Sequence, residues 1–456
     1  MQKFCESSQK SCSLLLGIYY LCIRWAAPHL SKQVSFGFGL RHLCIRWAAP
    51  HQSKQVSFGF SLRHLCIRWA APHQNKQVSF GFGLRHLCIR WAAPHQSKKF
   101  FLWLRFAPYS YQMRKFYLIA VALLAVYSAK AQDSLTVVRV NEQRSFPQEI
   151  PAGNYSGITY IGDSVYAVVS DKSPQDGFFL FKIALDSITG DVLHVQNLGF
   201  RGDTDKNGDM EAITYVPSSK TLYITRETDN TIKEYALDGH LTIRQLSVPA
   251  IYQRDRGNYG LESLSYNERT QTFWTCNEGT LLGDGEQATA TNGVRNRLRL
   301  QSFSADFQPL HQYAYQMDAP EANKKAYLYG MGVAEVTALD DGSVLVLERE
   351  FYTPPSKLGA FVNNKLFLVH PQKGVPIDGE DALNEAMPYL KKRLVMKWTT
   401  RLSLFRHDIA NFEGMCLGPK LADGSQVLVL VSDSQNQAGG VMKDWFKTIV
   451  LSLPKP

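Results

Sequence analysis

Acidic residues are missing from the first part of this 456-residue chain. No Asp or Glu lies between Ser7 and Gln132. Residues 1–112 hold 15 Lys and Arg against the single acid Glu6, a charge of +14, although the whole chain carries only +10. The basic character therefore belongs to the first quarter of the chain, and the remainder is acidic.

Within this acid-poor stretch a unit of 22 residues recurs with few changes. The copies open with Leu-Cys-Ile-Arg-Trp-Ala-Ala-Pro-His at Leu21, Leu43, Leu65 and Leu87. Pro, Gly and His interrupt each unit, so no helical or strand period is sustained within it. A stacked solenoid and a basic nucleic-acid-binding segment are alternatives. The near-identity of the copies favours a third interpretation, in which residues 1–112 are duplicated DNA translated from a start codon assigned too early, or are disordered.

Long apolar runs are scarce as well, and a short one follows the repeats. Residues 113–131 have a basic start, an apolar run from Phe116 to Tyr127 and the ending Ala129-Lys-Ala131. This order is typical of a secretory signal peptide, and the run is too short to span a bilayer comfortably. We expect cleavage before Gln132, export to the periplasm or the medium, and no membrane span in the mature protein.

Cysteine and positive charge are sparse after Gln132. Without the repeats and the signal peptide the charge falls to −7, which excludes the basic footprint of a nucleic-acid-binding protein. Six of the eight cysteines precede Gln132. Cys276 and Cys416 remain, and they either pair in an oxidising compartment or are two small buried side chains. We expect a monomer.

Several hydrolase motifs are absent from the sequence. It has no G-x-S-x-G turn, no H-E-x-x-H helix, and no Cys followed by Arg at phosphatase spacing. Arg406-His407-Asp408 lacks the rest of a histidine-phosphatase motif. A serine, zinc or cysteine mechanism of these types is therefore excluded.

Short alternating or apolar runs separated by turn signals dominate residues 132–456, which predicts one all-β domain. The only predicted helix covers residues 381–392. A short motif that opens one strand recurs about every fifty residues, and a second strand with a polar or acidic end follows it. Such units are typical of β-propeller blades. Five are visible, and two long intervals predict a sixth, with five to seven blades possible; the strand near Leu135 would complete the last blade.

An acidic loop, Asp203-Thr-Asp-Lys-Asn-Gly-Asp-Met-Glu211, places oxygen side chains at every second residue. Hard cations such as Ca²⁺ require six to eight oxygen ligands, and this spacing supplies several from one segment. The loop begins like an EF-hand but has Thr214 at the twelfth position and continues as a strand, so it is not one. A solvated acidic turn is the alternative. The predicted ligands in the loop are Asp203, Asp205, Asn207, Asp209 and Glu211.

A propeller would bring the repeated strand openings together around one axis. Four of these openings carry a glutamate, at Glu211, Glu262, Glu335 and Glu413. Acidic strand ends would lie nearby, at Asp171, Glu227, Glu278, Glu348 and Asp433. Of these, Glu227, Glu278, Glu348 and Asp433 are further predicted metal ligands. So many carboxylates require compensation, which cations, or Arg226 and Arg349, would supply. Capping of backbone N–H groups is the alternative role of each glutamate.

Several segments resemble the phytase-like family, labelled "esterase-like activity of phytase". They are Glu211-Ala-Ile, Asn258-Tyr-Gly-Leu-Glu262, Val346-Leu-Glu-Arg349 and Asn411-Phe-Glu-Gly-Met415 with Val431-Ser-Asp433. The resemblance implies a β-propeller, an exported hydrolase of phosphate or other esters, and calcium at carboxylates. One departure is that Ser434 and Gln435 separate Asp433 from Asn436.

Three functions follow as hypotheses. The first is a calcium-dependent hydrolase of phosphoric esters, in which Ca²⁺ neutralises the phosphate and lowers the pKa of a bound water. Its catalytic candidates are Glu211, Glu262, Glu335, Glu413, Arg226 and Arg349. The second is a calcium-dependent lactonase or carboxylesterase. The third is a propeller that binds a ligand or protein without catalysis.

Overall fold

The computed structural model describes the strands of the repeat region and residues 135–454 except Asn258. The predicted signal peptide, residues 113–131, lies outside the described residues. The chain divides into two compact units, Met1–Val126 and Tyr127–Pro456.

The first unit contains five parallel strands whose pairing follows the repeat. They are β1 (Gly17–Ala26), β2 (Val34–Ala48), β3 (Val56–Ala70), β4 (Val78–Ala92) and β5 (Phe100–Leu104). Positions 22 residues apart are paired, for example Val34 with Val56. The sequence pattern within one copy predicted no sustained strand period here. The strands form because identical copies pair with one another in register.

The described residues of the second unit form five antiparallel sheets. Four of them have four strands in sequential order, and the fifth combines three strands from the end of the unit with two from its beginning. Two short strands precede them, β6 (Thr136–Val140) and β7 (Arg144–Ser145). Blade 1 comprises β8 (Tyr155–Gly162), β9 (Val165–Ser170), β10 (Gln175–Leu185) and β11 (Val192–Lys206). Blade 2 comprises β12 (Met210–Val216), β13 (Thr221–Arg226), β14 (Thr231–Ala236) and β15 (Leu241–Gln245). Blade 3 comprises β16 (Ser265–Asn267), β17 (Thr272–Cys276), β18 (Arg297–Ser304) and β19 (Pro309–Gln316).

Blade 4 comprises β20 (Leu328–Ala338), β21 (Val344–Thr353), β22 (Phe361–Val369) and β23 (Lys392–Arg401). Blade 5 comprises β24 (Asn411–Lys420), β25 (Gln426–Asp433) and β26 (Trp445–Ser452), and its fourth strand is β6. Three short 3₁₀ helices complete the described elements, Ala250–Arg254, Pro371–Lys373 and Ala438–Gly440.

The first strands of the five blades form a closed ring. β8 contacts β12 and β24, and β16 and β20 complete the circle between them. The ring is closed by strands from both ends of the second unit, because β6 pairs antiparallel with β26. The predicted β-propeller and the predicted role of the strand near Leu135 are confirmed.

The prediction of six blades is wrong, because the described residues form five. The two long intervals contain connections instead of a further sheet. One is the loop between β17 and β18, and the other is the segment between β22 and β23. The latter runs along the outer strand of blade 3, where Ile377 N and Leu390 N donate to Gln312 O (2.8 Å) and Ala314 O (2.9 Å). A segment used in this way adds length without adding a blade.

The helix predicted over residues 381–392 is also absent. These residues are turns and extended chain up to Lys392, where β23 begins. Pro388 interrupts the segment, and the backbone N–H of Leu383 donates to Asp284 Oδ1 (2.9 Å) and not to a helical carbonyl. Tertiary partners thus replace the helical hydrogen bonds.

Apolar side chains between neighbouring blades form the core. Cys276 and Cys416 are buried in it and are unpaired. Among the described residues, no helix is long and apolar enough to cross a membrane.

Candidate functional site

Every blade has an irregularity in its pairing at the same place, within its first strand or, in blade 3, just before it. In β8 the pairing skips from Tyr155 to Gly157, and in β24 it skips from Phe412 to Gly414. Blades 2, 3 and 4 skip at the corresponding points. A bulge re-aims the side chain of the unpaired residue. The equivalent positions are Ser156, Glu211, Glu262, Ala334 and Glu413.

The second strands supply a matching set of positions. In each second strand, one residue pairs with the residue that precedes the bulge; examples are Ser170 in blade 1 and Ser432 in blade 5. The next residue of the second strand lies at the same end of the ring as the bulge. Four of these five residues are acids and the fifth is an arginine. They are Asp171, Glu227, Glu278, Arg349 and Asp433.

The seven acids of the two sets form one group, here called the carboxylate ring. Its members are Asp171, Glu211, Glu227, Glu262, Glu278, Glu413 and Asp433. Carboxylate oxygens of Glu211, Glu227 and Glu262 lie within 4.8 Å of one another. The same limit holds for Asp171, Asp209 and Glu211. Glu211 therefore belongs to two groups that are each compact enough to hold a metal ion.

Glu211 is the most confined member of these two groups. Its exposed fraction is 6%, and it makes no hydrogen bond or ion pair to another described residue. Burial raises the pKa of Glu211 well above its usual range, and the carboxylates of Asp171, Glu413 and Glu227 raise it further. A buried carboxylate without a partner is costly unless it is protonated or a cation neutralises it.

Glu262 and Glu413 lie in the same electrostatic environment. Burial is the main cause that raises the pKa of each carboxyl well above its usual value. Glu211 and Glu278 raise the pKa of Glu262 further, whereas Arg349 lowers that of Glu413. Burial also raises the pKa of Asp171, to about 6.

Arg349 is a cation that the protein itself contributes to the ring, from blade 4. Its guanidinium donates to Glu278, Glu413 and Asn411 Oδ1, the last at 3.0 Å. Burial lowers the pKa of Arg349, but Glu413 and Glu278 outweigh it, and the net pKa lies above the ordinary value. The arginine thus neutralises the side of the ring between blades 3 and 5, and the two metal-sized groups lie on blades 1 to 3.

The acidic loop contributes unevenly to this site. The side chain of Asp203 lies outside the described residues, and Asp205 is exposed. Asn207 Nδ2 donates to the carbonyls of Ser170 (3.0 Å) and Asp171 (2.9 Å), which fixes the turn beside the ring. Asp209 accepts from Lys172 Nζ at 3.0 Å.

Two oxygen atoms beside the ring have no partner. Asp171 Oδ1 and Asn207 Oδ1 are buried and accept no hydrogen bond from any described residue. Buried oxygens are normally satisfied, so these two are available to accept a hydrogen bond or to coordinate a cation.

Three residues predicted for the site lie elsewhere. Glu335 is one position further along its strand than the other glutamates, because Ala334 occupies the bulge. It is fully buried, and its Oε1 accepts from Leu264 N and Val336 N at 2.9 Å, so its role is the backbone capping named as the alternative. Glu348 binds Lys392 and the hydroxyl of Tyr315.

Arg226 is the third. It pairs with Asp176, which also accepts from Tyr235 OH at 3.2 Å and from Gly208 N at 2.8 Å. In the sheet, Arg226 and Glu348 are equivalent to Ser170, and alternation turns their side chains away from the ring. The sequence contains a signal for this offset of one residue. Asp171, which follows Ser170, and Arg349, which follows Glu348, are the residues that belong to the ring positions.

Two residues of the site were not predicted from the sequence. Lys172 bridges Asp171 (2.8 Å) and Asp209 (3.0 Å). Asn411 donates to Glu413 Oε1 at 2.8 Å while it accepts from Arg349. The segment Asn411-Phe-Glu413 was noted as a motif, but only the glutamate was given a role.

Comparison with known proteins adds a family match. Residues 150–435, more than half of the chain, match the model of the Phytase-like family, described as "Esterase-like activity of phytase". A search of curated proteins found no match.

Solved structures similar to this chain share little sequence with it. An endo-arabinase from Bacteroides thetaiotaomicron is 12% identical, covering 66% of this chain and 96% of that one, with a TM-score of 0.37. A streptogramin B lyase is 13% identical, covering 68% and 97%, with a TM-score of 0.29. A luciferin-regenerating enzyme is 10% identical, covering 70% and 95%, with a TM-score of 0.31.

Proposed function

This chain belongs to the Phytase-like family, and on that premise we propose that it is an exported, calcium-dependent hydrolase of phosphoric esters that acts at the carboxylate ring. The observation that carries the proposal is Glu211. It is buried, has no partner among the described residues, and is shared by two groups of three carboxylates. The description of the family names an esterase-like activity, and we assign that activity to the carboxylate ring.

The residues present fit calcium. Asp171 Oδ1 and Asn207 Oδ1 are buried oxygens without a donor, and Asp209, Glu211, Glu227 and Glu262 add carboxylates. Ca²⁺ prefers oxygen ligands of this kind, in larger numbers than one short segment provides. When bound, the ion would neutralise a phosphate and acidify a coordinated water.

The other residues of the site would bind and orient the substrate. Arg349 is fixed by Glu278, Glu413 and Asn411, so its guanidinium is held in one orientation beside the ring. Arginine recognises phosphate oxygens through fixed, charge-assisted hydrogen bonds. Lys172, whose side chain is 53% exposed, pairs with Asp171 and Asp209 on the blade 1 side of the ring and would attract an anionic ester. Arg226 is not assigned this role, because its side chain is turned away from the ring, where it pairs with Asp176.

The experiment is a hydrolysis screen of the purified protein with phosphate and carboxyl esters, with and without added Ca²⁺. We expect turnover of phosphate esters that chelator abolishes. Glu211→Gln should weaken calcium binding tenfold or more, which is about 1.4 kcal/mol. Glu268→Gln, an exposed glutamate in the turn between β16 and β17, is the matched control.

Each other outcome selects a different function. Preference for carboxyl esters would indicate a lactonase or carboxylesterase. Calcium binding without turnover of either class would indicate a binding propeller. If the Glu211→Gln and Glu268→Gln variants bind calcium with equal affinity, the metal does not bind at Glu211.

Export is part of the proposal and has its own test. The basic start, the apolar run and the Ala129-Lys-Ala131 ending favour cleavage before Gln132. N-terminal sequencing of the protein recovered from the periplasm or medium should begin at Gln132, and a retained Met113 would contradict cleavage.

A further inference from the structure

The first two strands of blade 4 extend beyond the carboxylate ring. β20 and β21 remain paired from Arg349 to Thr353, whereas β9, β13 and β17 end at the ring. Four further residues of extended chain correspond to about 13 Å. The loops at this end of blade 4, residues 320–328, 353–361 and 401–408, are here called the blade 4 rim.

The blade 4 rim exposes large apolar side chains. The most exposed are Phe405, at 94%, and Leu404, at 72%, in the loop between β23 and β24. Tyr327, Leu328 and Leu358 expose 59%, 55% and 47%. Contiguous exposed apolar groups mark interaction sites more often than single ones do.

Contacts between the three loops make the rim one surface. Lys357 Nζ lies 5.3 Å from the centre of the Tyr327 ring. Gly359 N donates to Leu402 O at 2.8 Å, which joins the second loop to the third. Arg406 N donates to Ser403 Oγ at 3.0 Å, and this turn places Leu404 and Phe405 at its tip.

The rim is basic, although the domain is acidic. Its three segments contain two acids, Glu321, which binds Lys397, and Asp408, which binds Arg406. The bases number five, so the rim carries +3, whereas residues 132–456 carry −7. The bases are Lys324, Lys325, Lys357, Arg401 and Arg406.

We propose that the blade 4 rim docks the domain on an anionic lipid surface. Leu404 and Phe405 enter the headgroup region, and the surrounding Lys and Arg contact lipid phosphates. Segments that bind such surfaces combine exposed aromatic and aliphatic side chains with cations, and each cation near the surface adds about fivefold in affinity. A projecting tip of two residues fits lipid better than a protein partner, because stable protein interfaces bury about 800 Å² on each side. This proposal does not depend on the esterase activity.

The test places an indole at the tip of the rim. Phe405→Trp in the full chain is mixed with vesicles of phosphatidylcholine and brominated phosphatidylglycerol in equal parts, and the wild-type fluorescence is subtracted. We expect lipid bromine to quench the introduced indole. Ile243→Trp, at an exposed position on the outer strand of blade 2, is the matched control and should not be quenched.

Charge is tested in the same background. Adding Lys324→Gln and Lys325→Gln to Phe405→Trp should raise the lipid concentration for half-maximal quenching by about fivefold per charge. The basic repeats are present in every variant, so differences between variants report the rim. The proposal is overturned if positions 405 and 243 are quenched equally, or if the two lysine changes leave quenching unaltered. Absence of quenching at position 405 also overturns it, and a rim that faces a protein partner gives that result.

Discussion

At the scale of single residues, glutamates with similar sequence neighbours have different roles because of one position of offset. Glu211, Glu262 and Glu413 each precede a small residue, namely Ala212, Ser263 and Gly414. Glu335 follows a small residue, Ala334, and so occupies the position of the small residue in the other blades. The bulge then directs the first three side chains into the ring and leaves Glu335 among backbone N–H groups.

This difference predicts opposite effects in two glutamate variants. Glu335→Ala removes the acceptor for Leu264 N and Val336 N, and each buried donor left unsatisfied costs about 1–3 kcal/mol. We expect a lower free energy of unfolding in urea and unchanged calcium affinity. Glu262→Gln should weaken calcium binding and leave the unfolding free energy without calcium equal or higher, since it removes a buried charge. The assignment of roles is wrong if both variants lose stability and calcium to the same extent.

A second residue-scale prediction concerns pH. Asp444 is 6% exposed, and burial raises its pKa to about 6 from an ordinary 3.8. Because the folded protein holds this proton more tightly than the unfolded chain, the stabilising contribution is complete below pH 3.8. It is lost as the pH rises through about 6.

Asp444→Asn, which cannot ionise, should therefore gain stability relative to wild type as the pH rises from 4 to 7. The gain should reach roughly 1–3 kcal/mol and then level off. Urea unfolding at several pH values measures it. A difference between the two proteins that stays constant across this range would contradict the raised pKa.

At the scale of elements, the strands were predictable and their grouping was not. Alternating apolar residues and turn signals such as Asp238-Gly239 located strands in all five blades, because each strand buries one face against a neighbouring blade. The interval from Glu335 to Glu413 predicted a sixth blade, since interval length does not distinguish a sheet from a segment that crosses to another blade. Arg299 illustrates the missing information, because it binds Asp284 and the carbonyl of Asp381 (2.7 Å), contacts far apart in sequence.

The site was predictable to the same degree. Propeller symmetry brings repeated strand openings together, which is why Glu211, Glu262 and Glu413 were found from the sequence. Symmetry does not determine which residue in or next to each motif faces the axis, because the position of the bulge determines it. Asp176 reads as an ordinary turn residue, yet it is buried and binds Arg226 and Gly208 N.

Close packing between the first strands leads to a prediction for blade 1. A Cβ atom at Gly157 would lie 2.7 Å from both Ala212 Cα and Glu211 O, which are backbone atoms of the neighbouring blade. Gly157→Ala should force the two strands apart and cost about 1–3 kcal/mol of unfolding free energy. Calcium affinity should fall as well, because Glu211 lies at the contact.

Gly330→Ala is the matched control. Gly330 lies in β20, a Cβ there meets no atom within 4 Å, and its φ is not positive. We expect stability equal to wild type or slightly above it, because alanine restricts the unfolded chain. Equal losses in the two variants would show that ring packing is not the cause.

At the scale of the whole molecule, closure of the propeller depends on the first described strand after the repeats. β6 pairs with β26 from Thr136 to Val140, and Leu135 just before it is 1% exposed. The blade that contains the N-terminal strand also contains the C-terminal strand, so the ring cannot open without separating β6 from β26. The described strands of the repeat region, β1–β5, form a sheet of their own.

The last prediction uses this closure to separate the functional domain from what precedes it. A protein that starts at Gln132 retains Leu135 and β6 and should unfold in one cooperative transition. A protein that starts at Asn141 lacks both, leaves the edge of β26 unpaired, and loses the burial of Leu135, worth about 1.5–3 kcal/mol for this side chain alone. We expect it to melt at a clearly lower temperature or to aggregate through the exposed edge.

Within the longer protein, Leu135→Ala should cost about 2–5 kcal/mol, whereas Val138→Ser, at a position 54% exposed on the same strand, should change stability by no more than about 0.5 kcal/mol. If the protein from Gln132 is insoluble while the full chain folds, residues 1–131 are part of the folded domain. If the two truncated proteins melt at the same temperature, β6 does not close the ring.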